Sequence, residues 1–70
     1  MRISARNQLR GTVKQISRGT SIANVELDVG GQRLVASVTV EAVDDLEITE
    51  GANVTAVIKA SDVMIATEPA

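Results

Sequence analysis

The chain contains no cysteine, no histidine and no aromatic residue. Without cysteine it can form neither disulfides nor thiolate metal sites, and it has no thiol nucleophile. Without histidine it lacks the commonest metal ligand and the usual general base. Without aromatic rings it has nothing on which the bases of a single-stranded nucleic acid could stack. The sequence therefore predicts that the protein is not an enzyme, binds no metal directly through side chains and has no nucleic-acid partner.

The 70 residues suffice for one small domain, and no linker, repeat or low-complexity segment divides them. We therefore expect residues 1–70 to form a single module. A domain of this size buries only about 60% of the surface of its unfolded chain and is marginally stable alone. Small scaffolds usually gain stability from disulfides, a metal or oligomerisation. Since the first two are disfavoured here, the sequence predicts a homo-oligomer.

The net charge of −2 opposes a surface that tracks nucleic-acid phosphates, but the charge is unevenly placed. Acidic residues cluster within residues 41–50. The basic residues of the first 18 positions are Arg2, Arg6, Arg10, Lys14 and Arg18. The apolar stretches are too short to span a bilayer, and no signal peptide is visible at the N-terminus. We therefore expect a cytoplasmic protein without membrane contact.

Alternation of apolar and polar residues predicts strands, most clearly where Val25, Leu27 and Val29 alternate with polar neighbours. Gly30-Gly31 follows this run and is a hairpin signal. The predicted strands are residues 8–16, 22–29, 32–38, 53–59 and 63–66. Residues 67–70 are expected to form a frayed tail.

Residues 40–46 have a helical pattern instead, because Val40, Val43 and Leu46 recur at the spacing of one helix face. Thr39 precedes them as a plausible N-cap. Three strands, a short helix and two further strands is the order of a small Greek-key barrel. The fold class predicted is therefore all-β, an OB-like five-stranded barrel with one short helix.

Val57 is apolar on the face of its predicted strand that should contact water. An apolar side chain there favours a covered surface, most simply a subunit interface. A single exposed valine is also common in monomeric proteins, so both interpretations stay open.

The densest chemistry lies in residues 4–8, just before and at the start of the first predicted strand. Ser4, Arg6, Asn7 and Gln8 can all donate hydrogen bonds, and only the arginine is charged. Several donors with little net charge suit a small oxyanion. The alternative is that the basic stretch is simply a solvated strand face.

Two further segments contain donors of the same kind. Lys59 and Ser61 place an ammonium and a hydroxyl where the chain leaves a strand, and Thr39 lies where a strand enters the helix. The unpaired amides of a first helical turn form a natural anion site. Taken singly, these residues are equally well explained as a cap and turn residues.

Taken together, the three segments resemble the Mop family, the small molybdate-binding proteins called molbindins. The resemblance rests on residues 4–9 (SARNQL) followed by Gly11, on Val38-Thr39, and on residues 59–61 (KAS) before an apolar run. It covers nearly the whole chain. The length matches the free-standing module rather than a regulator or transport ATPase that contains it.

The resemblance implies strands exchanged between two subunits and a hexamer built as a trimer of dimers. It also implies that molybdate or tungstate binds between subunits, with no covalent cofactor. Ser4 and Arg6 would donate from one subunit, and Thr39, Lys59 and Ser61 from a neighbour, with backbone N–H groups assisting. The implied oxyanion-binding residues are Ser4, Ala5, Arg6, Asn7, Thr39, Lys59, Ala60 and Ser61.

Two positions depart from the family pattern. Ala42 stands where several relatives carry a hydroxyl, and Val40 stands where many have a polar residue. The function expected is an intracellular molybdate- and tungstate-binding protein that stores or buffers the oxyanion. Two alternatives stay open: an OB-type nucleic-acid-binding module, and a structural assembly domain in which residues 4–8 only make interface hydrogen bonds.

Overall fold

The computed structural model describes residues 3–68 as an antiparallel sheet with one short helix packed on it. Arg2 of the basic stretch and the last two residues of the predicted tail lie outside the described residues. The elements are β1 (Asn7–Arg18), β2 (Ile22–Val29), β3 (Gln32–Thr39), α1 (Val40–Asp45), β4 (Asn53–Ile58) and a 3₁₀ turn, η1 (Ala60–Asp62). The sheet has the order β3-β2-β1-β4. The predicted all-β class and the helix after the third strand are confirmed.

Strand β1 is long because it serves two neighbours in succession. Its first half, from Asn7 to Thr12, pairs with β4, and its second half, from Thr12 to Arg18, pairs with β2. A bulge lies between Val13 and Gln15, where the register with β2 shifts, and a bulge of this kind bends a strand. At Gly11 an added Cβ would lie 2.8 Å from the carbonyl oxygen of Asp28, so glycine allows β1 to approach β2 closely.

The hairpin between β2 and β3 forms as predicted. Gly30 and Gly31 have φ angles of 57° and 86°, a region that residues with a Cβ seldom occupy. The Gly31 amide donates to Asp28 Oδ1 at 2.9 Å, which further fixes the turn. This turn sets the register in which Val25 lies opposite Ala36 and Leu27 opposite Leu34.

The core lies between the inner face of the sheet and α1. The inward positions of β2 that the alternation predicted are buried or half-buried, and Val43 of α1 is fully buried against them. Burying such side chains contributes about 1.5–3 kcal/mol each. The buried core residues are Val13, Ala23, Val25, Leu27 and Val43.

The fifth predicted strand, residues 63–66, does not form within this chain. Residues 63–68 have no regular secondary structure, and Met64 and Ile65 are 93% and 91% exposed. A strand needs a neighbour for its backbone hydrogen bonds, and this segment pairs with no strand of the described chain. Residues 3–68 of one chain therefore form an open four-stranded sheet, without the fifth strand that the sequence predicts.

Leu46 also departs from the predicted helix face. The helix ends at Asp45, and Leu46 is its C-cap with 71% of its surface exposed. The prediction extended the apolar spacing one residue beyond the last helical turn.

Candidate functional site

Two of the three predicted donor segments, residues 4–8 and residues 59–61, lie together in one chain. Asn7, the first residue of β1, is directly opposite Ile58, the last residue of β4. Directly opposed residues of antiparallel strands have Cα atoms about 4.5–5.5 Å apart. Arg6 precedes one of these residues and Lys59 follows the other, so the two cationic side chains leave adjacent chain segments. We call residues 4–7 and 59–61 together the cationic end.

Residues 4–7 of the cationic end are open to solvent on one side. Ser4 and Arg6 are exposed, whereas Ala5 and Asn7 are half-buried. The side-chain amide of Gln8 donates to the Ala5 carbonyl oxygen at 3.5 Å, a long hydrogen bond that folds back over the segment. Among the described residues, Arg6 makes no ion pair. Its guanidinium is therefore available to an external anion.

Residues 59–61 offer backbone donors as well as side chains. The turn η1 is closed by the Asp62 amide, which donates to the Lys59 carbonyl at 2.9 Å, and by the Val63 amide, which donates to the Ala60 carbonyl at 3.3 Å. Within residues 3–68 no acceptor is found for the amides of Ala60 and Ser61. The start of this turn thus presents two free N–H groups beside the Lys59 ammonium.

Thr39 is the N-cap of α1, as predicted. Its Oγ1 accepts a hydrogen bond from the Ala42 amide at 3.0 Å, and its backbone is extended. A hydroxyl group has one donor as well as its acceptor lone pairs. Capping therefore leaves the O–H of this exposed residue free to donate to a ligand.

The first turn of α1 offers fewer free amides than the sequence analysis expected. The Val40 amide donates to the Ser21 carbonyl at 2.9 Å, and the Ala42 amide is taken by the Thr39 cap. The helix is also only six residues long. Ala42 has no side-chain hydroxyl, and its backbone amide already donates to Thr39, so this position offers no donor to a ligand.

Thr39 lies at the opposite end of the sheet from the cationic end. It is paired with Ile22 at the start of β2, and Ala23 is paired with Arg18 at the far end of β1. Between Asn7 and Arg18 the strand rises about 3.3 Å per residue, a contour of about 36 Å. The expected grouping of Lys59 and Ser61 with Thr39 is therefore not what one chain forms: these residues lie with Arg6, and Thr39 is apart.

Helix α1 contacts the rest of the chain through residues that no local sequence pattern brings together. Arg18 donates to Asp44 Oδ1 at 3.0 Å, and the Val40 amide is held by Ser21. Arg18 and Asp44 are 26 positions apart in the sequence, so no local pattern signals their pairing. An exposed pair of this kind stabilises by about 0–1 kcal/mol, and it connects the helix that Thr39 begins to the end of β1.

The described residues contain no group of three or more acidic side chains arranged to hold a metal ion. None of the helices in residues 3–68 is long and apolar enough to cross a membrane. The chemistry available at the cationic end is thus hydrogen-bond donation to an anion by a guanidinium, an ammonium, hydroxyls and free amides.

Residues 3–65 match the TOBE domain family. The chain is 46% identical over 66 residues to molybdenum-pterin-binding protein 1 of Clostridium pasteurianum, covering 93% of this chain and 97% of that protein.

Solved structures give the same result. A molybdate binding protein from Sporomusa ovata superposes with a TM-score of 0.92 and 42% identity, covering 96% of this chain and all of that chain. The molybdate-bound form of ModG, described as a cytoplasmic molybdate-binding protein, superposes with a TM-score of 0.87 and 49% identity, over 91% of this chain and 46% of that one. With an OB-like fold, and with the Clostridium pasteurianum and Sporomusa ovata relatives matched over nearly their full length, the chain belongs to the TOBE domain family and, within it, to the small Mop proteins that its donor segments resemble.

Proposed function

We propose that this protein binds molybdate and tungstate reversibly and stores or buffers them. The observation that carries the proposal is the cationic end, where the Asn7–Ile58 pairing brings Arg6 and Lys59 together with free amides. The names of the relatives, which refer to molybdate or molybdenum, support the same ligand.

Molybdate and tungstate suit this set of donors. Each is a tetrahedral dianion whose four oxygens accept hydrogen bonds and require no general base. A hydrogen bond to a charged acceptor contributes about 1.5–3 kcal/mol. Six such bonds at about 3 kcal/mol each total about 18 kcal/mol, which offsets an association cost of ~10 kcal/mol and leaves about 8 kcal/mol, the free energy of micromolar affinity. The absence of histidine is therefore no obstacle to this function.

The proposed site is shared between subunits. In one chain Thr39 is separated from the cationic end by the whole length of β1. A site that contains both therefore draws Thr39 from a second copy. The binding residues we propose are those named from the sequence, with Ser4, Ala5, Arg6, Asn7, Lys59, Ala60 and Ser61 from one copy and Thr39 from another.

The proposed assembly uses residues 63–66, the predicted fifth strand, which we call the exposed tail. Residues 63–66 are apolar and pair with no strand of the described residues, while β3 and β4 are the two edges of the described sheet. We propose that this segment of one copy pairs with the sheet of another and supplies its fifth strand. Strand exchange of this kind would close the barrel, and the family resemblance points to a hexamer made of three such dimers.

The proposed ligand is the oxyanion without a pterin. The name of the Clostridium relative refers to a molybdenum pterin. A pterin is a flat heterocycle that proteins grip largely by stacking, and this chain has no aromatic side chain to stack on it. The relative ModG is described as cytoplasmic, and we propose the same compartment here.

Isothermal titration tests the proposal directly. The purified protein, at tens of micromolar, is titrated with molybdate, tungstate, sulfate, phosphate and a free pterin in separate experiments. We expect saturable binding of molybdate and tungstate and no heat of binding with phosphate or the pterin. Absence of heat with both molybdate and tungstate would refute the function.

A further inference from the structure

The two ends of the sheet carry opposite charge, and the carboxylate of Asp62, which follows the cationic end in η1, forms an ion pair with neither Arg6 nor Lys59. Arg6 and Lys59 belong to the cationic end, beside the Asn7–Ile58 pair. Thr39 and α1 lie at the other end, where the helix carries Glu41, Asp44 and Asp45.

Two of the three carboxylates of α1 have no cationic partner among residues 3–68. Asp44 accepts a hydrogen bond from Arg18 at 3.0 Å. In the described part of the chain the other ion pair joins Arg33 and Glu26, so Glu41 and Asp45 have no cationic partner. As far as the structure describes the chain, the α1 end therefore has a surplus of negative charge, and the cationic end has two cations without an ion-pair partner.

The surplus charge lies where the proposed ligand contacts Thr39. Thr39, Glu41 and Asp45 line one open cleft beside Ser21. Glu41 is only two residues from Thr39 and lies in the same first helical turn, whereas Asp45 lies one turn further on. An oxyanion held by the Thr39 hydroxyl therefore experiences the field of Glu41 most strongly.

We propose that Glu41 is an internal counter-ion that the oxyanion displaces. In the ligand-free assembly, Glu41 of one copy faces Arg6 and Lys59 of another copy and neutralises them. When molybdate binds, its oxygens take over these cations and the carboxylate is released to solvent. This inference rests on the proposed function, and the complementary charge of the two ends favours a second copy of the chain as the partner.

The Glu41 carboxylate would have two opposite effects. Glu41 competes with the ligand for the cations and repels the incoming dianion, so it lowers the affinity for molybdate. The same carboxylate attracts the neighbouring copy and strengthens the ligand-free assembly. For a dianion about 8 Å from a carboxylate in a water-like dielectric, the repulsion alone changes affinity about fivefold at low salt.

The test compares Glu41→Gln with Glu47→Gln, a matched control. Both residues are exposed and both substitutions remove one negative charge, but Glu47 lies in the turn after α1 and outside the Thr39 cleft. We expect Glu41→Gln to bind molybdate about fivefold more tightly than Glu47→Gln by titration calorimetry in dilute buffer. We also expect its ligand-free assembly to be weaker, so that in sedimentation velocity it dissociates at protein concentrations at which Glu47→Gln stays assembled.

Added salt provides a second criterion. At about 0.5 M sodium chloride the Debye length falls to about 4 Å, so the difference in affinity between the two variants should shrink towards zero. Equal molybdate affinities for the two variants in dilute buffer, with normal binding by the unmodified protein, would overturn the counter-ion role and leave the proposed function intact. Failure of the unmodified protein to bind molybdate would overturn both.

Discussion

The hydroxyl of Thr39 has separate groups for the fold and for the proposed ligand. Its oxygen accepts from the Ala42 amide at 3.0 Å and so begins the helix. Capping does not use the hydroxyl hydrogen, which remains free to donate. The N-cap interpretation and the ligand interpretation therefore do not compete, because they use different parts of the hydroxyl group.

Arg6 is the residue on which oxyanion binding should depend most. It is exposed, lies in the loop before β1 and makes no ion pair among the described residues. Replacing Arg6 by alanine removes charged hydrogen bonds worth about 1.5–3 kcal/mol, so the molybdate affinity should fall about tenfold to a hundredfold in titration calorimetry. The thermal melt followed by circular dichroism should be nearly unchanged, because surface substitutions usually alter stability by less than about 0.5 kcal/mol.

Arg10→Ala is the matched control for this prediction. Arg10 is an exposed arginine of the same chain region, but it lies within β1 opposite Thr55 and away from residues 59–61. Its substitution should leave the affinity within about twofold, as expected for a screened charge outside the site. A melt that collapses in Arg6→Ala while its affinity persists would make Arg6 a structural residue.

At the scale of elements, the sequence predicts those parts of the fold that depend on short-range patterns. Strand β2 and the Gly30-Gly31 turn follow from alternation and from the positive φ angles that glycine tolerates. The start of α1 follows from the threonine cap. These features depend on neighbours within a few residues, which a sequence displays directly.

Features that depend on distant pairing could not be obtained in the same way. The pairing of β1 with β4 decides that Lys59 lies beside Arg6, and the pairing of β1 with β2 decides that Thr39 does not. Neither pairing has a local signal, so the division of the candidate residues between the two ends required the structure. The segment 63–66 has the composition of a strand, but a strand also needs an edge to pair with, and composition does not supply one.

The exposed tail is predicted to hold the assembly together. Ile65 is 91% exposed in the single chain, and Leu46, at the end of α1, is 71% exposed. If the tail pairs with another copy, Ile65→Asp places a charge in that interface and should shift the sedimentation velocity profile towards monomer. Leu46→Asp, the control, introduces the same charge at an exposed apolar residue outside the tail and should assemble normally.

The fold of each single chain should tolerate both substitutions, because neither side chain is buried in it. Circular dichroism should therefore show the same secondary structure in the two variants. Equal assembly by Ile65→Asp and the unmodified protein would exclude the tail from the interface.

In the whole molecule, the residues of the proposed oxyanion site lie in two separate groups. The cationic end has guanidinium, ammonium and free amide donors, and the opposite end has Thr39 beside uncompensated carboxylates. The described sheet also has open edges, and the apolar residues 63–66 are exposed. A second copy would supply both the separated donors and a partner for this segment. A ligand that binds only the assembled form stabilises that form by mass action.

We expect the oxyanion site to exist only between copies of the chain, and native mass spectrometry with and without molybdate distinguishes a shared site from a site within one chain. We expect oligomers of even subunit number, with a hexamer as the largest closed form, and molybdate adducts on these oligomers alone. Added molybdate should increase the oligomer fraction at low protein concentration. A monomer that carries molybdate in simple stoichiometric amounts, with no change in assembly, would contradict the account.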